Sequence, residues 1–158
     1  MADLIVADAS PLIALYDGGE LDVLQLAFEM VIIPERVLHE VFTNRYGRVK
    51  PRWIRVQAIT NVSSLARLNT FHYEYFLDRG ESEAIALAEE LGTEVLLDER
   101  NARRICRDLG IPHRSAYDVV RKLAKEKRIS DKRCRKICES LRLHHGFTPS
   151  DDDPGAAL

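Results

Sequence analysis

Short apolar runs alternate with amphipathic stretches along this chain, and that alternation limits the fold more than any other feature. Leu4 to Ala7 is a continuous apolar run closed by Asp8. Val31-Ile32-Ile33 is a β-branched run closed by Pro34, and "TEVLL" (93–97) is an apolar run closed by Asp98. Each has the length and composition of a buried strand. "WIRVQAI" (53–59) alternates enough to be a fourth strand, and Ile111-Pro112 reads as a short extended piece. Helical patterns fill the intervals. Strands in regular alternation with helices specify an α/β fold, three layers in the order α/β/α around a central parallel sheet.

The helix boundaries are written in capping residues. Ser10 reads as the N-cap of the first helix and Pro11 as its first helical residue, with Gly18-Gly19 ending it. Leu21, Leu24 and Phe28 mark a second helical piece. Pro34 opens "PERVLHEVF", with Val37, Leu38 and Val41 on one face. Residues 44–52 are a polar loop, and 62–79 are helical in part. "GESEAIALAEELG" (80–92) is the clearest helix, with an inward stripe of Ala84, Ile85, Ala88 and Leu91 and a stop at Gly92. "NARRICRDLG", "SAYDVVRKLAKEK" and "DKRCRKICESLRL" are three more helices. Residues 1–143 form one domain, and the tail 144–158, with "SDDDPGAAL", has a disordered composition. There is no internal repeat and no glycine-rich phosphate loop.

Composition excludes several classes. No apolar stretch approaches the ~20 residues of a membrane span, and the N-terminus does not read as a signal peptide. The three cysteines, Cys106, Cys134 and Cys138, lack zinc-ligand spacing, so a reduced cytoplasmic protein is expected. The net charge of −2 hides an asymmetry. Residues 1–99 hold 8 Lys/Arg and 17 Asp/Glu, whereas residues 100–136 hold 14 Lys/Arg and 4 Asp/Glu. That basic block suits either a solvated surface or a polyanion-binding edge.

The acids sit at the ends of elements. Ligands of open parallel sheets bind outside the carboxyl ends of the strands, and Asp8 and Asp98 both close strands. Glu81 continues the inward stripe of its helix at the N-terminal end, while Glu83 lies elsewhere around that helix. Glu40 follows Val37 by three residues, on or beside a buried face. Four carboxylates aimed at one place repel one another, and a hard divalent cation such as Mg²⁺ or Mn²⁺ resolves the repulsion. Such an ion activates water against a phosphodiester. Ser10, two residues after Asp8, is placed to hold a metal-bound water.

"VADASPLIAL", "IPERVLHEV", "GESEAIALAEELG" and "EVLLDERNARRIC", in this order and spacing, resemble the PIN-domain nucleases. The likeness is to the small prokaryotic PIN-like proteins related to VapC-type toxin ribonucleases, over roughly residues 3–143. It implies a PIN fold and a catalytic, metal-binding set of Asp8, Glu40, Glu81 and Asp98, with Glu99 as the alternative to Asp98, and Ser10 beside them. It implies cleavage of single-stranded RNA with Mg²⁺ or Mn²⁺. Relatives act as toxins held by a small antitoxin protein, and many are homodimers. Ala9 stands where relatives carry Thr, Glu81 where many carry Asp, and "HRSAYDVVRKL" replaces a glycine-rich stretch. Arg100, Arg103, Arg104 and Arg107 share i, i+3, i+4, i+7 spacing, a stripe placed to track an RNA backbone or to bind an acidic antitoxin segment. A catalytically degenerate PIN module that binds RNA or a protein, and a nuclease on flap-like DNA, are the competing expectations.

Overall fold

The computed structural model describes residues 3–43 and 47–145, apart from the side chains of residues 144 and 145. Its strands are β1 (Leu4–Ala7), β2 (Met30–Ile33), β3 (Ile54–Val56), β4 (Glu94–Leu96) and β5 (His113–Arg114). Its helices are α1 (Ala9–Asp17), α2 (Val23–Ala27), α3 (Glu35–Val41), α4 (Val62–Tyr73), α5 (Arg79–Leu91), α6 (Arg100–Leu109), α7 (Ala116–Lys125) and α8 (Asp131–His145). The strands form one sheet in the order β3-β2-β1-β4-β5, and every pairing is parallel. Helices cover both faces, which gives the expected three-layer α/β/α PIN-like architecture.

Strand parity divides the core. Ile5, Ala7, Val31, Ile33 and Leu96 face one way and pack with α1, α2, α3, α7 and α8. Val6, Ile32, Val95 and Leu97 face the other way and pack with Phe71 of α4, Ala84 to Ala88 of α5, and Ala102, Ile105 and Cys106 of α6. Ile5, Val6 and Ala7 are all wholly buried because β1 is the middle strand with both faces covered. This is why "LIVA" is a continuous apolar run rather than an alternating one.

The order of strands reverses at β1. β2 and β3 lie to one side of it, β4 and β5 to the other. The crevice between the carboxyl ends of β1 and β4 is therefore the topological switch point, where open α/β sheets bind their ligands. Asp8 stands at its edge, its N–H donating to the Leu96 carbonyl at 3.0 Å.

Several boundaries differ from expectation. Asp8, not Ser10, is the N-cap of α1, with φ −81° and ψ 170°. Asp is itself a capping residue, and Ala9 is a better first helical residue than a second cap. Pro11 then falls inside the first turn, where its missing N–H has no partner to lose. Asp78 and Arg79 extend α5 upstream of Gly80. β5 forms at His113–Arg114, one step after the expected Ile111-Pro112 piece. α8 continues to His145. The expected disordered tail falls from residue 146 onward on residues outside those described, as do positions 44–46 of the expected loop. Among the described residues, no helix is long and apolar enough to cross a membrane.

Candidate active site

Asp8 is 3% exposed. It shares strand parity with Val6, so it belongs to the α5 side of the sheet. Burial raises its carboxyl well above the ordinary range. The Ala9 N–H acts against that rise, and the charges of Glu81, Asp78 and Glu40 add to it. Two separate elements thus place three carboxylates around Asp8: α3 brings Glu40, and the start of α5 brings Asp78 and Glu81.

Glu81 is buried in the first turn of α5. Its carboxyl is pushed up to about 7, chiefly by burial and then by Asp78, with Glu99 and Glu40 contributing. Its side chain also closes a capping box. The Asp78 Oδ1 accepts from the Glu81 N–H at 2.7 Å, and the Glu81 Oε2 accepts from the Asp78 N–H at 3.1 Å. Glu40 is half-buried and its carboxyl is raised by burial and by Asp78, against the pull of a hydrogen bond from Arg36 Nε at 3.3 Å. Gly80 makes room for it: a Cβ at position 80 would lie 2.8 Å from Glu40 Oε2 and 2.9 Å from Oε1. A carboxylate therefore occupies the space that any other residue at position 80 would claim.

Asp98 does not join this group. It shares parity with Leu96, so it continues the opposite face of β4, toward α7. Its Oδ1 accepts from the Ala116 N–H at 2.8 Å, at the N-terminus of α7. Its carboxyl is pushed up to about 7 by burial, against that N–H and the Arg103 charge, with Asp118 adding to the rise. Its Oδ2 is buried without a hydrogen-bond partner. The residue that continues the Val95-Leu97 face is Glu99. Its charge acts on Glu81, while its Oε2 accepts from the Ala102 N–H at 2.7 Å as the N-cap of α6. Of the two acids left open at the end of β4, the fold brings Glu99 to the cluster and turns Asp98 into the α7 side.

A family model for the PIN domain matches residues 4–152. The chain belongs to the PIN-domain family. No curated protein matches it. The family is a nuclease-type one, and the acidic crevice of this PIN domain lies where the sheet topology puts a ligand site.

Asp78 is the site residue that sequence reasoning missed. With α5 expected from Gly80, Asp78 fell in the 62–79 segment expected to be helical only in part, but Asp78-x-x-Glu81 is a capping-box signature and carried the signal. The basic stripe of this PIN domain is also revised. Arg100, Arg104 and Arg107 are exposed, but Arg103 is only 5% exposed. It sits one step round α6 toward the face buried through Ala102 and Cys106, and its charge acts on Asp98. Arg103 therefore serves the interior rather than an RNA backbone. Ser10 lies exposed in the first turn of α1. Tyr117 is 4% exposed and belongs to the core, with its hydroxyl donating to the Cys138 carbonyl. Trp53 packs against the same core. Asp118 closes a capping box with Ser115.

The donor set of the PIN pocket is oxygen only, which suits a hard divalent ion. Among the described residues no three His, Cys, Asp or Glu side chains converge closely enough to hold an ion together. Glu40 and Glu81 are engaged with Arg36 and the Asp78 N–H, so to meet an ion they would act through water or turn away from those partners.

Proposed function

We propose that this PIN domain is a metal-dependent endoribonuclease acting on single-stranded RNA, with Asp8, Glu40, Glu81 and Glu99 around Mg²⁺ or Mn²⁺. The observation that carries the reading is the convergence of Asp8, Glu40 and Glu81 from β1, α3 and α5 on the switch point of the sheet, with Glu40 seated against Gly80, where burial and the Asp78 charge raise all three carboxyls. Carboxylates that burial and like charge both disfavour are placed for a cation rather than for stability. When bound, such an ion polarises the phosphodiester and lowers the pKa of a coordinated water. The chain's own part is to hold four oxygen donors at the crevice and to keep Glu40 seated against Gly80. The toxin role, with a small antitoxin and a homodimer, belongs to the same proposal and rests on the likeness of motifs. The competing reading, a PIN fold that binds without cleaving, draws on the want of three convergent ligands.

Thermal melts with and without Mn²⁺, paired with cleavage of a labelled single-stranded RNA, separate the two. Carboxyls raised in the folded state bind protons that the unfolded chain releases. Metal-free stability therefore falls as pH rises from about 4 to about 7, the window between the ordinary value and the value near 7 of Glu81 and Asp98. Each pKa unit is worth about 1.4 kcal/mol, and 1 kcal/mol moves Tm by about 2–4 °C in a chain of this size. The metal-free protein is expected to melt on the order of 10 °C higher at pH 5.5 than at pH 8. Mn²⁺ is expected to stabilise it at pH 8 and hardly at pH 5.5, because protons compete for the same oxygens. RNA cleavage follows Mn²⁺ and stops with EDTA. A melt that ignores Mn²⁺ at pH 8, with RNA intact, supports the non-cleaving module instead.

Gly80→Ala tests the seat of Glu40. Ala is the better helix former by about 1 kcal/mol, so α5 is not weakened. The new methyl must push the Glu40 carboxylate away. The expected result is an unchanged or slightly raised Tm with a smaller Mn²⁺ response; an undiminished response would remove Glu40 from the ion's surroundings.

A further inference from the structure

Phe76 combines two features that work against stability. Its φ is 58°, a left-handed conformation that a bulky side chain rarely adopts. Its side chain is 85% exposed. The turn around it is firmly placed: the Tyr75 N–H donates to the Thr70 carbonyl, the Leu77 N–H donates to the Phe71 carbonyl, and Leu77 is buried. Glycine or asparagine at position 76 would adopt this backbone with less strain and expose no ring. Strained, exposed residues of this kind cluster at binding sites.

Phe76 is among the residues that line a groove of about 480 Å³, within the range of ligand-sized clefts. Tyr75 and Phe76 line it from the α4–α5 turn, and Asn101 and Arg104 line it from α6. Two of its lining residues flank acids of the cluster in the chain: Phe76 precedes Asp78 by two residues and Asn101 follows Glu99 by two. Glu74 and Asp108 also line it and offset Arg104, so a run of phosphates is not what it suits. Aromatic rings and a guanidinium lining one groove suit the flat face of one base with one phosphate beside it. Arg104 donates to the Asn101 Oδ1 at 2.8 Å within the same groove lining.

We propose that Phe76 is a stacking platform for one nucleobase of a single strand whose neighbouring phosphodiester lies at the acidic cluster. The proposal rests on the nuclease reading of that cluster. Phe76 is a positioning residue, and its strain is kept for substrate rather than for the fold.

The test compares Phe76→Asn and Phe76→Trp in the full chain. Binding is read by anisotropy of a short labelled oligoadenylate in EDTA, and cleavage by steady-state kinetics in Mn²⁺. Phe76→Asn is expected to raise Tm by about 2–4 °C and to weaken oligonucleotide binding about tenfold. It is expected to raise KM far more than it lowers kcat. Phe76→Trp restores binding. Wild-type protein that does not bind the oligonucleotide, undiminished binding by Phe76→Asn, or a loss that Trp does not restore overturns the platform. So does a wild-type self-association that Phe76→Asn abolishes while oligonucleotide binding stays, which marks a protein interface. Cleavage indifferent to Phe76 sinks the platform alone. Binding that depends on Phe76 without any cleavage sinks the nuclease reading alone.

Discussion

Asp8→Asn is expected to cut RNA cleavage to a trace and at the same time to stabilise the metal-free protein. Losing a donor from an ion worth several kcal/mol to the transition state lowers the rate by about 10²–10⁴-fold. Asn keeps the shape of Asp8 and removes a charge that burial and three neighbouring carboxylates all disfavour. As the N-cap of α1, Asp8 makes no side-chain capping bond that the change would lose. Tm at pH 8 is expected to rise by about 2–4 °C for each kcal/mol so released. Opposite movements of activity and stability mark a residue kept for chemistry. Cleavage that persists in purified Asp8→Asn protein would place the reacting centre elsewhere, and a lower Tm would mean the carboxylate supports the fold.

The neighbouring acids at the end of β4 should behave oppositely to each other. Asp98→Ala leaves the buried Ala116 N–H without its acceptor and takes the negative neighbour from the buried Arg103. Breaking such a buried arrangement costs about 3–5 kcal/mol, a fall in Tm on the order of 10 °C. Glu99→Gln keeps the capping bond to Ala102, since an amide oxygen also accepts, and leaves Tm within about 1 °C of wild type. Its loss is expected in the Mn²⁺ response and in cleavage, about tenfold or more for a missing ligand. If Asp98→Asn weakens the Mn²⁺ response while Glu99→Gln does not, the assignment by strand parity is wrong.

Much of the fold was legible because β1 and β4 are buried on both faces, and such strands are written as unbroken apolar runs between helices. Asp8, Glu40 and Glu81 were legible for the same reason, as polar residues at the edges of buried patterns. What separates Asp98 from Glu99 is the parity of β4 against β1, set by the pairing of Ala7 with Leu96. A one-residue difference in register exchanges the two faces, and nothing within "EVLLDE" alone states the register. Asp78 was hidden by a helix start misplaced toward Gly80, although its capping box was there to be found. The burial of Arg103 was hidden because spacing puts it on the same stripe as Arg100, Arg104 and Arg107, whereas its environment comes from Asp98 across the fold. Phe76 could not be read at all, since its exposure follows from a turn that sends Leu77 inward.

The reversal of strand order at β1 bears on when the pocket comes into being. Ile5 pairs with Glu94 and Val6 with Val95, so the first strand must wait for the fourth before the crevice has two walls. Contacts of such long sequence separation form slowly and late. Glu99, in the turn after β4, is the last of the acids to be made. An incomplete chain, ending anywhere before that turn, has Asp8 without the opposing wall. A PIN domain built in this order passes through synthesis and early folding without its acidic crevice, and gains one only when its sheet closes across the middle.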